Sequence, residues 1–150
     1  MAVKLLGRDI EPISSPTTSA FRVSLRDAGT ITIIALGASN TTNVTVSVAQ
    51  DASGTGEVAF DGAAGHGDGI LEYWTYLHST GLWTRTAQAA ASTFPTTAGT
   101  GDMAAVEIDE AALPDTFCYI KASHANATML MCLGALQRKR RPNLLRSKIV

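Results

Sequence analysis

Residues 30–49 read TITIIALGASNTTNVTVSVA, and how this stretch is read decides the fold. β-Branched residues dominate 30–36, and their stiff side chains suit the pleated surface of a strand better than a helix. The run is apolar at nearly every position, as expected of a strand buried on more than one face. Over 43–49 the pattern becomes a strict alternation, with Val44, Val46 and Val48 on one side and Thr45 and Ser47 on the other. Gly37 and the Ser, Asn and Thr residues that follow supply turn chemistry. Together these features predict an antiparallel hairpin of two strands.

The same reading extends in both directions. FRVSL (21–25) places Phe21, Val23 and Leu25 on one face, and EVAF (57–60) is a short strand. ILEYWTYLHSTGLWTRTAQ (70–88) reads as a long hairpin that turns at STG, with Trp74, Tyr76 and Trp83 as its packing anchors. Residues 89–102 are expected to form a loop. AAVEI (104–108) is a further strand with Val106 and Ile108 inward, and DEAALPD allows one helical turn before Pro114 stops it. FCYIKAS (117–123) and TMLMCLGAL (128–136) are expected to pair through HANA. Such a hairpin would set Cys118 and Cys132 near one another, as a disulfide in an oxidising medium but as buried free thiols in a cytoplasm. Eight or nine short strands with frequent turn signals, and no amphipathic helix between them, predict an all-β protein. Its architecture is an antiparallel β-sandwich of jelly-roll or Greek-key type.

The chain of 150 residues suits one domain. Pro12 and Pro16 among serines and threonines mark 1–20 as an irregular, extended N-terminal arm. The β-sandwich domain then spans 21–136, and a basic C-terminal arm spans 137–150. Only 17% of residues are charged against 45% apolar, so small and hydroxylated residues cover much of the surface, or neighbours do. The start, MAVKLLGRDIEPISSP, lacks the apolar segment of a secretory signal, and no run is long enough for a membrane helix. Synthesis in a cytoplasm is therefore expected, and Asn40, Asn43 and Asn126 in their Asn-x-Thr settings read as turn residues rather than glycan acceptors.

No constellation for catalysis emerges. GAAGHGDG (62–69) is glycine-rich like a phosphate cradle but lacks the Gly-Lys-Ser/Thr ending and a following helix, so it reads as a surface loop. Asp61 and Asp68 offer too few oxygens for calcium. His66, His78 and His124 stand apart without a ligand motif, and His124 reads as a turn residue. Glu107 and Asp109 share the outward face of a strand, a spacing compatible with paired-carboxylate hydrolysis and equally with a solvated surface. The expectation is no enzyme, no catalytic residue, no metal and no cofactor.

The termini carry the charge asymmetry. QRKRRPNLLRSKIV (137–150) holds six of the twelve Lys and Arg residues and no acid, whereas residues 1–136 hold six bases and all thirteen acids. Arg138, Lys139, Arg140, Arg141, Arg146 and Lys148 are interleaved with Leu144 and Leu145, so the arm reads as a docking segment that orders on a partner offering grooves and carboxylates. These eight residues are the candidate partner-binding site. A membrane partner would want an amphipathic or lipidated element, which is not visible. Nucleic acid fits the arm but not the acidic body, because a DNA-binding face should extend onto the folded domain.

A Thr/Ala/Gly-rich sandwich between two arms, ending in VEIDEAALPDTFCYIKASHANATMLMCLGAL (106–136) and QRKRRPN (137–143), resembles the small capsid decoration (cement) and accessory head proteins of tailed bacteriophages. The likeness spans 20–145 in pattern and 104–143 in letters. It implies a structural virion protein on the outer surface of a DNA-filled capsid, bound to the major capsid protein and to neighbouring copies as trimers or other oligomers. Two other functions remain open at this point. One is a receptor- or carbohydrate-binding sandwich of a tail or head fibre, using Trp74, Tyr76 and Trp83 as a stacking platform. The other is nucleic-acid binding through the basic tail.

Overall fold

The computed structural model describes residues 3–5, 8–15, 21–26, 28–37 and 41–136. Twelve strands run in chain order: β1 (Val3–Leu5), β2 (Arg8–Ser15), β3 (Phe21–Ser24), β4 (Ala28–Leu36), β5 (Asn43–Ala49) and β6 (Val58–Ala59), then β7 (Ile70–Leu77), β8 (Leu82–Ala91), β9 (Thr93–Pro95), β10 (Met103–Asp109), β11 (Tyr119–Ser123) and β12 (Thr128–Leu136). The one helical element among the described residues is a single 3-10 turn, Glu110–Ala112, which ends ahead of Pro114 as the sequence predicts.

The strands form two antiparallel sheets. The larger has the order β1-β2-β12-β4-β10-β7-β8, and the smaller has β3-β11-β5-β6 with β9 also on β5. The expected all-β sandwich is therefore the fold. Its core lies between the sheets, where the alternating positions of each strand meet. Ile31 and Ile33 of β4, Met131 and Leu133 of β12, and Val106 of β10 face Val44, Val46, Val48 and Ile120 of the smaller sheet, all at most 2% exposed. Phe60 and Phe94 close the ends of this layer. Burial of each such side chain contributes roughly 1.5–3 kcal/mol.

Strand positions follow the sequence closely, but the pairing differs. Residues 30–36 and 43–49 are not a hairpin: β4 lies between β12 and β10 in the larger sheet, and β5 pairs with β11, β6 and β9 in the smaller. The same holds for β11 and β12, which lie in opposite sheets. A short loop of Gly, Asn and Thr serves a crossing between layers as well as a turn within one, and local sequence does not separate the two. Only β1–β2, β5–β6 and β7–β8 follow one another within a sheet among the described strands.

Three further expectations are revised. The irregular arm over 1–20 is extended in part, and Arg8–Ser15 joins the larger sheet beside β12, in register from Ser15↔Met129 to Glu11↔Leu133. The expected loop over 89–102 contains the end of β8 and the three-residue β9, whose Phe94 is fully buried. Cys118 and Cys132 are free thiols, as expected in a cytoplasm, but they are only half-buried and are not neighbours across a hairpin, because β12 carries Cys132 in the larger sheet and Cys118 precedes β11 of the smaller.

Candidate interaction surface

The eight arm residues from Arg138 to Lys148 lie outside the described residues. The surface that the structure does describe is the outward face of the larger sheet together with its terminal hairpin. Because Ile31, Ile33, Val106, Met129 and Met131 point into the core, the alternate residues of the same strands point out. Register aligns them in rows. One row runs Leu36, Met103, Tyr76 and Trp83 across β4, β10, β7 and β8. The next runs Leu130, Ile34, Ala105 and Trp74, ending on Arg85.

A sandwich sheet ordinarily presents polar residues on its outer side. Here half of that side is apolar, while Thr30, Thr32, Glu107 and Asp109 make the other half polar. Ala105 is only 9% exposed despite pointing outward, flanked in register by Ile34 and Trp74. Tyr76 and Trp83 sit with ring centroids 5.3 Å apart at 44°, and Trp83 remains 50% exposed. Leu71, Leu77 and Leu82 add further exposed apolar area on the same hairpin, Leu82 at 66%.

The anchors expected from sequence are therefore turned the other way. Tyr73, not Trp74, packs inward, its ring stacked 6.4 Å from that of Phe94. YWTY carries aromatic rings on both parities, so alternation alone cannot say which face is the core. The uniformly apolar run over 30–36 held the missed signal: its inward half fills the core, and Ile34 and Leu36 supply the outer rows.

Among the described residues strand β8 ends the sheet, with ten residues and no strand paired on its outer side. Edges of this kind are normally blunted by Lys, Pro or brevity. β8 carries a single charge, Arg85, which is engaged with Glu72 on β7 through its Nε at 2.9 Å. The hairpin is pinned at both ends: Asp102 accepts the His78 N–H at 2.8 Å, and the Gln88 amide donates to Ile70 and Thr93 carbonyls beside the β7 bulge. It is a held element with a bare outer edge.

The smaller sheet presents a different outer face. Arg22, Lys121 and Ser47 stand opposite one another on β3, β11 and β5, and all three donate to the Glu57 carboxylate. Lys121 Nζ lies at 2.7 Å and Ser47 Oγ at 3.0 Å. Burial would raise the Glu57 pKa, but the hydrogen bonds from Lys121, Arg22 and Ser47 outweigh it and bring it from 4.5 to about 2. Two cations share the one carboxylate, so the cluster keeps a net positive charge.

His124, expected as a turn residue, follows β11 and is only 4% exposed. Its Nδ1 accepts the Asn126 N–H at 2.9 Å, so Nε2 carries the proton and donates to Thr42 Oγ1 at 2.6 Å and Thr96 Oγ1 at 3.2 Å. Burial lowers its pKa, and the contact with Thr42 offsets this only in part. The imidazole ties three loops together.

The glycine-rich loop does not offer a phosphate cradle. Three of its N–H groups are engaged within the protein: Asp68 N–H donates to the Ala112 carbonyl, His66 N–H to the Ala63 carbonyl and Ala63 N–H to the Asp61 side chain. Asp61 also accepts from His66 Nδ1 at 2.8 Å, and hydrogen bonds from Ala63 and His66 lower its pKa. Gly67 and Gly69 have φ of +86° and +74°, and a side chain at either would meet the Phe60 ring or the Asp61 backbone. Among the described residues no three His, Cys, Asp or Glu side chains group as metal ligands. No protein-family model matches the chain, and comparisons with curated proteins and with solved structures give no significant match.

Proposed function

We propose that this protein is a structural virion component, which binds the outer surface of a phage capsid and stabilises it by bridging capsid subunits. Its partners are the major capsid protein and neighbouring copies of itself. The observation that carries this reading is the apolar outward face of the larger sheet, continued onto the bare edge of β8. Contiguous apolar area rimmed by polar residues marks an interaction surface rather than a solvated one. A protein that bridges subunits stabilises the assembled shell by mass action, since it binds only the assembled state. The resemblance of residues 104–143 to decoration proteins supports the same assignment.

A second reading is favoured by one feature, the half-exposed Trp83 tilted against Tyr76, an exposed aromatic surface of the kind that sugars use. One variant separates the two. Trp83→Ala with Leu82→Glu should weaken co-sedimentation with purified phage heads by about tenfold or more, as expected of a central apolar anchor. Undiminished occupancy would sink the capsid assignment for this face. Glycan-array binding lost on Trp83→Ala would favour the receptor reading instead.

A further inference from the structure

β10 pairs with β4 along its whole length, from Met103 to Asp109, but with β7 only over residues 103–105. Beyond Ala105 the two strands diverge, and a cleft of about 290 Å3 opens between 68–72 and 106–109. Its floor is apolar, built from Phe60, Ile70, Val106 and Ile108, each at most 3% exposed. Its rim is acidic, with Asp68 and Glu72 on one side and Glu107 and Asp109 on the other. Glu72 is shared with Arg85.

We infer that this cleft is the docking site of the chain's own basic C-terminal arm, residues 137–150. Three observations converge on that occupant. The arm is cationic at six positions and has no acid, and all thirteen acids lie in the body. Its Leu144, Leu145, Ile149 and Val150 need an apolar floor, which the cleft supplies. The third is reach. β12 runs in the same direction as β10, one strand removed, and Gly134 stands level with Asp109 across Thr30. Two strand spacings and two residues along the sheet put the end of β12 about 12 Å from Asp109, a gap that four extended residues span. With 137–140 bridging that gap, a docked arm would bring Arg140 and Arg141 to the acidic end of the cleft, with Leu144 and Leu145 following. Docking pairs the arm's charge with the rim and its leucines with the floor, so the acidic body and the short basic arm meet within one molecule.

The test uses the full-length protein. Limited trypsin cleavage at Arg138, Lys139 and Arg140 should be slow at low salt and faster at high salt, where screening shortens the range of the rim's attraction. Glu107→Gln with Asp109→Asn should accelerate cleavage about tenfold at low salt without moving the thermal midpoint appreciably. Zero-length cross-linking should join Lys139 or Lys148 to Asp68, Glu72, Glu107 or Asp109. A mixture of light and heavy isotopic copies should give cross-links only within one copy. Cleavage that ignores both salt and the double substitution would overturn the inference, as would cross-links confined to carboxylates elsewhere. Cross-links between light and heavy copies would overturn the own-chain assignment.

Discussion

Glu57 and His124 each keep, over a window of pH below their ordinary pKa values, a protonation state that the unfolded chain has already given up. The folded Glu57 titrates at about 2 against an ordinary 4.5, so the stability it contributes is complete above 4.5 and is lost as pH falls toward 2. His124 is a base kept neutral by burial, with a folded pKa below its ordinary 6.5. The unfolded chain therefore takes up its proton first, and stability declines as pH drops below 6.5 toward the lower folded value. Acid titration of the thermal midpoint should show two separate losses, one beginning near 6.5 and one below 4.5. Glu57→Gln should reduce the second loss, leaving the part due to Asp61 and Asp51, whose pKa values are also lowered, and cost about 1–3 kcal/mol at neutral pH, because Arg22 and Lys121 would keep their charges without the carboxylate between them. A midpoint unchanged by that substitution would show that the cluster adds nothing. Neither site was legible from sequence, since Arg22, Ser47, Glu57 and Lys121 come from four separate segments and meet only through strand register.

At the level of strands, outside β1, β2 and β9, local pattern was a sound guide to where each begins and a poor one to what it joins. The alternation of Val44, Val46 and Val48 delimits β5 at 43–49, and the STG turn delimits the β7–β8 hairpin. Pairing of β4 with β10 and β12 rests on residues about seventy and one hundred positions away, and no local signal records it. The orientation of the hairpin was likewise hidden, because aromatic rings occupy successive positions of β7. What the hairpin does with its bare edge can be read in solution. Leu82→Lys with Ala89→Lys adds charge at two exposed positions of β8 and should leave monomer stability within about 0.5 kcal/mol. Self-association, followed by sedimentation velocity over a range of concentrations, should fall. Unchanged association would move the self-contact away from β8.

The whole molecule is bound together without covalent aid. Cys118 lies beside Arg26 Nε at 3.3 Å and donates to the Gln50 carbonyl, whereas burial raises the pKa of Cys132 on the other sheet. The thermal midpoint should therefore be the same in oxidising and reducing buffer, and two thiols should titrate after unfolding; a shift with reductant would contradict the separation of the two layers. What joins the layers instead is the repeated passage of the chain from one sheet to the other.

That passage sets the order of events during synthesis. β4 sits at the centre of the larger sheet, yet both its neighbours are made long after it, β10 at 103–109 and β12 at 128–136. At about 5–20 residues per second, roughly 4–15 s pass before β10 is made to cover one edge of this apolar run and roughly 5–20 s before β12 is made to cover the other. TITIIAL is β-branched, uncharged and free of proline, the composition that pairs with its own kind when left exposed. The period between translation of β4 and of β12 is therefore when a nascent copy is most open to a chaperone or to another nascent copy, and slow codons within 37–127 would lengthen it.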